Sequence, residues 1–187
     1  MNKLSESLSK RVPVPGSFRD PKGRVARSGT GEVFRYIAQA GSDDFDAVEK
    51  SGLYTHLIEQ EKLVAHKRVT LADDPEASAY EILLQHSEIP VISYPYEWCF
   101  QQMKDAALLQ LDLYLESLEY GQTLSDATAF NVQFVRGKPV FIDTLSFMPY
   151  MPGQFWAGQE QFTEQFLSPL LLTANAGLAF NDVYRGS

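Results

Sequence analysis

Cysteine is nearly missing from this sequence. Cys99 is the one thiol among 187 residues, which excludes an intramolecular disulfide and a cysteine-rich zinc site. Histidine is scarce as well: His56, His66 and His86 stand ten and twenty residues apart, a spacing unlike that of a structural zinc site. No apolar run approaches the roughly 20 residues that span a bilayer, and the opening Met1-Asn-Lys-Leu-Ser-Glu6 lacks the apolar core of a signal peptide. Positive charge is in deficit, with 16 Lys and Arg against 24 Asp and Glu. The net charge of −8 argues against a nucleic-acid partner, whose binding would rest on neutralising phosphates. A hydrolase elbow of the Gly-x-Ser-x-Gly kind is absent. What remains is ordinary globular composition, 44% hydrophobic and 12% aromatic, sized for one domain or two small lobes sharing a core. The sequence reads as a cytoplasmic domain of bacterial type.

The charge is divided along the chain. Residues 1–70 carry 12 Lys and Arg against 9 Asp and Glu, whereas residues 71–187 carry 4 against 15. This division suits either solvated faces or two lobes, a basic one fitted to an anion and an acidic one fitted to a metal.

Residues 1–16, with Pro13, Pro15 and Gly16, read as an extended arm. Arg24–Ser28 and Glu32–Ile37 flank Gly29-Thr30-Gly31, a pattern for a β-hairpin with Phe34 and Tyr36 on one face. A short helix is predicted from Ser42 to about Lys50, and Ser51 is placed to cap a second one carrying Leu53, Leu57 and Ile58. Asp73-Asp74-Pro75 signals a loop, and Tyr80–Gln85 and Ile89–Tyr94 read as strands. A long helical pattern runs from about Glu97 to Tyr120 and stops at Gly121; Met103, Ala107, Leu111, Tyr114, Leu115 and Leu118 form its expected core stripe. Cys99, at the start of that helix, is expected to be a buried structural thiol. Arg136-Gly137-Lys138 joins two short strands, 131–135 and 139–143. A last helix is predicted from about Gly158 to Ala176, kinked at Pro169.

The chemistry-bearing stretch is 124–143. It follows a long helix, contains Asp126-x4-Asn131, passes through a hairpin and ends at Asp143. That order resembles the catalytic segment of the protein-kinase-like fold, which includes the aminoglycoside phosphotransferases. The resemblance implies that Asp126 orients or deprotonates a substrate hydroxyl, and that Asn131 and Asp143 hold the Mg²⁺ bridging the nucleotide phosphates. Such chemistry asks little covalent help of a protein: a hard cation on oxygen ligands and a positioned nucleophile suffice. By position, Ser93-Tyr94-Pro-Tyr96-Glu-Trp98 falls at the hinge that binds the adenine edge, which makes Tyr94 and Tyr96 nucleotide-binding candidates. Arg35, paired with Glu59 or Glu61, is nearest to the phosphate-holding strand Lys of that fold, although Arg does not replace Lys there without change. The glycine-rich loop is reduced to Ser28-Gly-Thr-Gly31, and the Asp-Phe-Gly triplet becomes Asp143-Thr-Leu145.

A second resemblance covers more of the chain. Ser93–Trp98, Lys104-Asp-Ala-Ala-Leu108, Asp126–Asn131, Phe141–Phe147, Gln161-Phe and Gln165-Phe-Leu-Ser-Pro-Leu170 are similar to the N-terminal region of a bacterial family of class I S-adenosylmethionine-dependent methyltransferases, some of them nodulation-protein-like. No Rossmann strand with a glycine-rich turn occurs here, so S-adenosylmethionine would enter only through a domain outside this sequence.

Together these readings imply an α+β fold of protein-kinase-like, two-lobe architecture with a truncated C-lobe. The arm is 1–16, a small β-rich N-lobe is 17–94, and 95–187 begins the helical C-lobe with its hairpin at 131–143. The expected function is that of an accessory domain binding Mg²⁺ and ATP in a longer methyltransferase-type protein. The alternatives are a non-catalytic interaction or regulatory module with a degenerate kinase-like fold, and a true small-molecule kinase. Expected partners are the downstream methyltransferase domain and, through the apolar tail Phe166–Phe180, a second copy in a homo-oligomer; nucleic acid and membrane are not expected.

Overall fold

Gly31, at φ 93°, supplies the left-handed residue in the turn of the first hairpin, and the flanking strands pair as their alternation predicts. In the computed structural model, which describes residues 11–14, 20–70, 79–178 and 182–183, β2 (Gly23–Ser28) runs antiparallel to β3 (Val33–Ile37) with Ala26 opposite Phe34. The chain is of the mixed α+β class and divides into two compact units: residues 1–46 with 64–88, and residues 47–63 with 89–187. The segment Ala47–Leu63 thus groups with the later residues, not with the β-rich unit that precedes and follows it.

The first unit is a five-stranded antiparallel sheet in the order β1-β2-β3-β5-β4, with β1 at Arg11–Pro13, β4 at His66–Arg68 and β5 at Ile82–His86. Ala26, Phe34, Tyr36 and Leu83 form a buried cluster on one face of the sheet, with Val69 and Tyr80 packed against them. Arg11 lies 3.9 Å above the Phe34 ring and donates to the Tyr36 hydroxyl at 2.6 Å, so this part of the expected arm is a sheet strand. The rest of the arm, and Asp73-Asp74-Pro75, lie outside the described residues. Helix α1 (Gln39–Ser51) starts three residues before its predicted Ser42. Its Gly41 sits against the preceding chain, where a Cβ would come within 3.0 Å of the Lys22 Cβ and 3.2 Å of its carbonyl oxygen. A glycine that looks like punctuation is here a packing residue.

The second unit is built round α3 (Phe100–Glu119), preceded in sequence by α2 (Leu53–Glu59) and by a 3₁₀ turn at Pro95–Glu97. Two short antiparallel pairs follow: β6 (Gln122–Leu124) with β9 (Phe147–Pro149), and between them in sequence the hairpin of β7 (Val132–Val135) and β8 (Lys138–Phe141). The β7–β8 turn carries Arg136 and Gly137 at φ of 53° and 80°, the left-handed pair that a tight two-residue hairpin requires. The last helix is three segments in succession, α4 (Gln159–Phe162), a π-helical turn (Thr163–Leu167) and α5 (Ser168–Ala176). The wide turn lies just before Pro169, whose ring would collide with the carbonyl of residue 165 in a regular α-helix. No described helix is long and apolar enough to cross a membrane.

Three expectations are corrected. Ile89–Tyr94 is not a strand; no ladder claims it, Pro90 removes a donor, and Val91 is 71% exposed. The buried face of α3 is Met103, Ala106, Ala107, Leu109, Gln110, Leu113 and Ser117, whereas Leu115 of the predicted stripe is exposed. Two polar residues on the inner face turned that stripe away from its apolar reading. Cys99 is exposed, not buried.

Candidate functional site

The 124–146 region is fastened at several points before any functional side chain is considered. Trp156 donates its indole N–H to the Leu124 carbonyl at 2.8 Å, and its ring stacks on Tyr114 of α3 with centroids 4.5 Å apart. The Ser125 N–H and hydroxyl both reach the Ser146 carbonyl, at 2.7 and 2.8 Å. These bonds hold the start of the 126–131 loop beside the segment that follows β8. The far end is closed in the same way, since the Ile142 N–H donates to the Asn131 carbonyl at 2.8 Å.

Within this frame Asp126, Asn131 and Asp143 come together. The Asp126 carboxylate accepts the Thr128 N–H at 2.9 Å, and the side-chain amides of Asn131 and Gln161 lie close enough to stabilise its charge. Burial pushes the Asp126 carboxyl up from its ordinary value, and the charge of Asp143 pushes the same way against those groups. Asp143 caps the 3₁₀ turn Thr144–Ser146: it accepts the Leu145 N–H at 3.3 Å and the Ser146 hydroxyl at 2.6 Å. Ser146 also lies 3.5 Å from the Asn131 amide nitrogen, so a hydroxyl links the two halves of the site. All three site residues are half-buried.

The donor set fits Mg²⁺. Asp143 and Asn131 offer a carboxylate and a carboxamide oxygen, both hard ligands, and Mg²⁺ is usually held by one or two carboxylates with phosphate oxygens and water completing the shell. Two carboxylates that repel one another are the electrostatic setting a cation relieves. Among the described residues no group of three or more His, Cys, Asp or Glu forms an all-protein cage. When bound, such a cation would neutralise developing charge on a phosphoryl group. Asp126 would then orient a hydroxyl, while Asp143 and Asn131 would face the metal.

The other sequence-predicted residues lie on other elements. Tyr94 and Tyr96 flank Pro95 as two exposed, parallel rings with centroids 5.4 Å apart and planes 6° from parallel, an aromatic ledge open to a flat ligand. Arg35 sits half-buried on β3 in the first unit, opposite Val25 and Leu84, while Glu59 ends α2 on the surface of the second unit. Sequence reasoning gave no chemical role to Gln110, Gln161 and Gln165. Gln110 donates from the buried face of α3 to the Thr128 carbonyl at 3.3 Å. Gln161 and Gln165 accept from the loop backbone, and their spacing of four on one helix face was the available signal.

The raised Asp126 carboxyl has a consequence for stability. The folded chain holds this proton more tightly than the unfolded one, so stability is lost as pH rises from the ordinary value of 3.8 through the raised one. At neutral pH the ionised carboxylate therefore destabilises the fold. Asp126→Asn is expected to melt at a higher temperature than wild type at pH 7, with the difference shrinking as pH is lowered toward 3.8. Thermal melts across that range check it; a variant less stable at pH 7 overturns it.

No family model matches this chain. Over its whole length the chain is 39% identical, across 193 aligned residues, to the nodulation protein NoeA of Rhizobium meliloti (strain 1021). It spans 39% of the length of that curated relative.

Proposed function

We propose that the chain is a kinase-like accessory module that binds Mg²⁺ and ATP within a longer, nodulation-protein-related protein. In this reading the remaining length carries an S-adenosylmethionine-dependent methyltransferase domain, and that domain is the module's first partner. The observation that carries the proposal is the meeting of Asp126, Asn131 and Asp143 from both sides of a hairpin, with Asn131 and Asp143 linked through Ser146 and the two carboxylates close enough to repel. The partial coverage of NoeA supports the second half of the reading. Calorimetric titration with ATP is expected to give binding heat when Mg²⁺ is present and little when it is chelated. No heat with any Mg²⁺-nucleotide overturns the proposal.

A second reading is favoured by one observation. Both Asp143 oxygens accept local hydrogen bonds, from Leu145 and Ser146, as a purely structural cap would. On that reading the module is a non-catalytic interaction domain, and Asp126→Ala and Asn131→Ala leave the activity of the longer protein unchanged.

A further inference from the structure

The loop 126–131 makes few hydrogen bonds of its own. Its consecutive N–H groups at 127, 128 and 129 all donate to side chains, and two of the three acceptors come from the C-terminal helix. Gln161 Oε1 accepts the Ala127 N–H at 3.0 Å, and the same side chain lies near the Asp126 carboxylate. Gln165 Oε1 accepts twice, from the Thr128 hydroxyl and the Ala129 N–H, each at 2.9 Å. Gln165 lies within the π-helical turn, a widening found often at functional sites.

Packing alone does not call for these two glutamines. The same helix is anchored by Phe162 and Phe166, both buried, their rings stacked with centroids 5.5 Å apart. A second contact joins Phe162 to Trp156 at 5.4 Å. Aliphatic residues at 161 and 165 would serve that docking as well, yet they would leave two backbone donors of the loop without acceptors.

We propose that Gln161 and Gln165 are positioning residues, which hold the 126–131 loop in the shape the cation site needs and make the site's affinity depend on the C-terminal helix. This rests on the metal reading above. A displacement of the helix, by a domain or ligand that touches it, then loosens Asp126 and Asn131 together. Each glutamine acts through the loop group it holds, the Ala127 N–H for Gln161 and the Thr128 hydroxyl and Ala129 N–H for Gln165.

The test uses Mn²⁺ alone as the probe, read by electron paramagnetic resonance, with amide exchange at Ala127 and Ala129 measured on the same whole protein. Gln165→Ala is expected to weaken Mn²⁺ binding about 10- to 100-fold, and to speed exchange at Ala129 about tenfold with little change in strands remote from the loop. Gln165→Glu keeps an oxygen that accepts from both Thr128 and Ala129, and is expected to restore both readouts. Gln161→Ala is expected to show its exchange effect at Ala127. Unchanged Mn²⁺ affinity in Gln165→Ala, or exchange that rises uniformly through the second unit, overturns the proposal. A wild-type protein that takes up no Mn²⁺ overturns the metal reading instead, and exchange at Ala127 and Ala129 then decides by itself whether the glutamines hold the loop.

Discussion

Asp143→Ala is expected to reduce ATP·Mg²⁺ affinity by about 100-fold or more, since substitutions one shell further from a metal already cost about 10- to 100-fold. The expectation follows from where the charges are. Asp126 and Asp143 are the two carboxylates of the set, and in the proposed reading Asp143 is the one that faces the metal. The alanine variant also loses the cap on Thr144–Ser146, at a cost of about 1 kcal/mol. Asp143→Asn separates these effects. Its amide oxygen still accepts the Leu145 N–H and its amide nitrogen can donate to the Ser146 hydroxyl, so the turn survives while the charge is gone. Calorimetry on both variants is expected to show binding lost in each, with thermal stability lowered mainly in the alanine. Wild-type affinity in Asp143→Asn would mean that the residue is a cap and nothing more.

Local structure was legible wherever one signal decided it. The hairpin at 23–37 followed from alternation round a glycine turn, and α3 from a long periodic run closed by Gly121, whose φ of 69° suits a helix-ending residue. Errors arose where long-range pairing decided the outcome. Ile89–Tyr94 has strand composition but no ladder partner, whereas His66–Arg68 has little strand signal and is a strand because β5 pairs with it. The α3 stripe was misplaced for a related reason. Leu115 is apolar and exposed at 60%, while Gln110 and Ser117 are polar and fully buried because backbone carbonyls accept from them. Counting apolar residues cannot see that exchange.

The site was legible in part, because its three residues lie close in sequence and a hairpin is a local event. Asp126, Asn131 and Asp143 were expected to meet; the Ser146 hydroxyl links Asn131 to Asp143, and Asp126 lies close enough to feel the Asp143 charge. The side chains behind them were not legible. Gln110, Gln161 and Gln165 reach the loop from 18 to 37 residues away, and a glutamine on a helix face ordinarily means solvent. Only the backbone of the loop, short of hydrogen bonds of its own, shows why they are there. Arg35 and Glu59 belong to different units, and their pairing rested on the order of elements alone.

Phe141→Ala is expected to destabilise the second unit by about 3–5 kcal/mol, a large share of the roughly 5–15 kcal/mol that a domain has. Phe141 is fully buried and ends β8, opposite Val132. Its ring meets Phe147 edge-on at 5.7 Å, and Phe147 in turn meets Tyr54 at 6.0 Å, so one truncation opens a row of three aromatic rings. The backbone of Phe141 is committed as well, donating to the Lys62 carbonyl at 2.8 Å and bridging to Leu63. A smaller side chain here leaves a cavity that these fixed strands cannot close. Both tryptophans, Trp98 and Trp156, belong to this unit, so their fluorescence in a urea titration reports its unfolding directly. Phe155→Ala is the matched control: that ring is 93% exposed, and its loss is expected to change stability by no more than about 0.5 kcal/mol. Because Asp143 follows Phe141 by two residues, metal affinity is expected to fall in Phe141→Ala even at temperatures where the unit remains folded. Equal urea midpoints for Phe141→Ala and Phe155→Ala would mean that the aromatic row does not support the hairpin on which Asp143 stands.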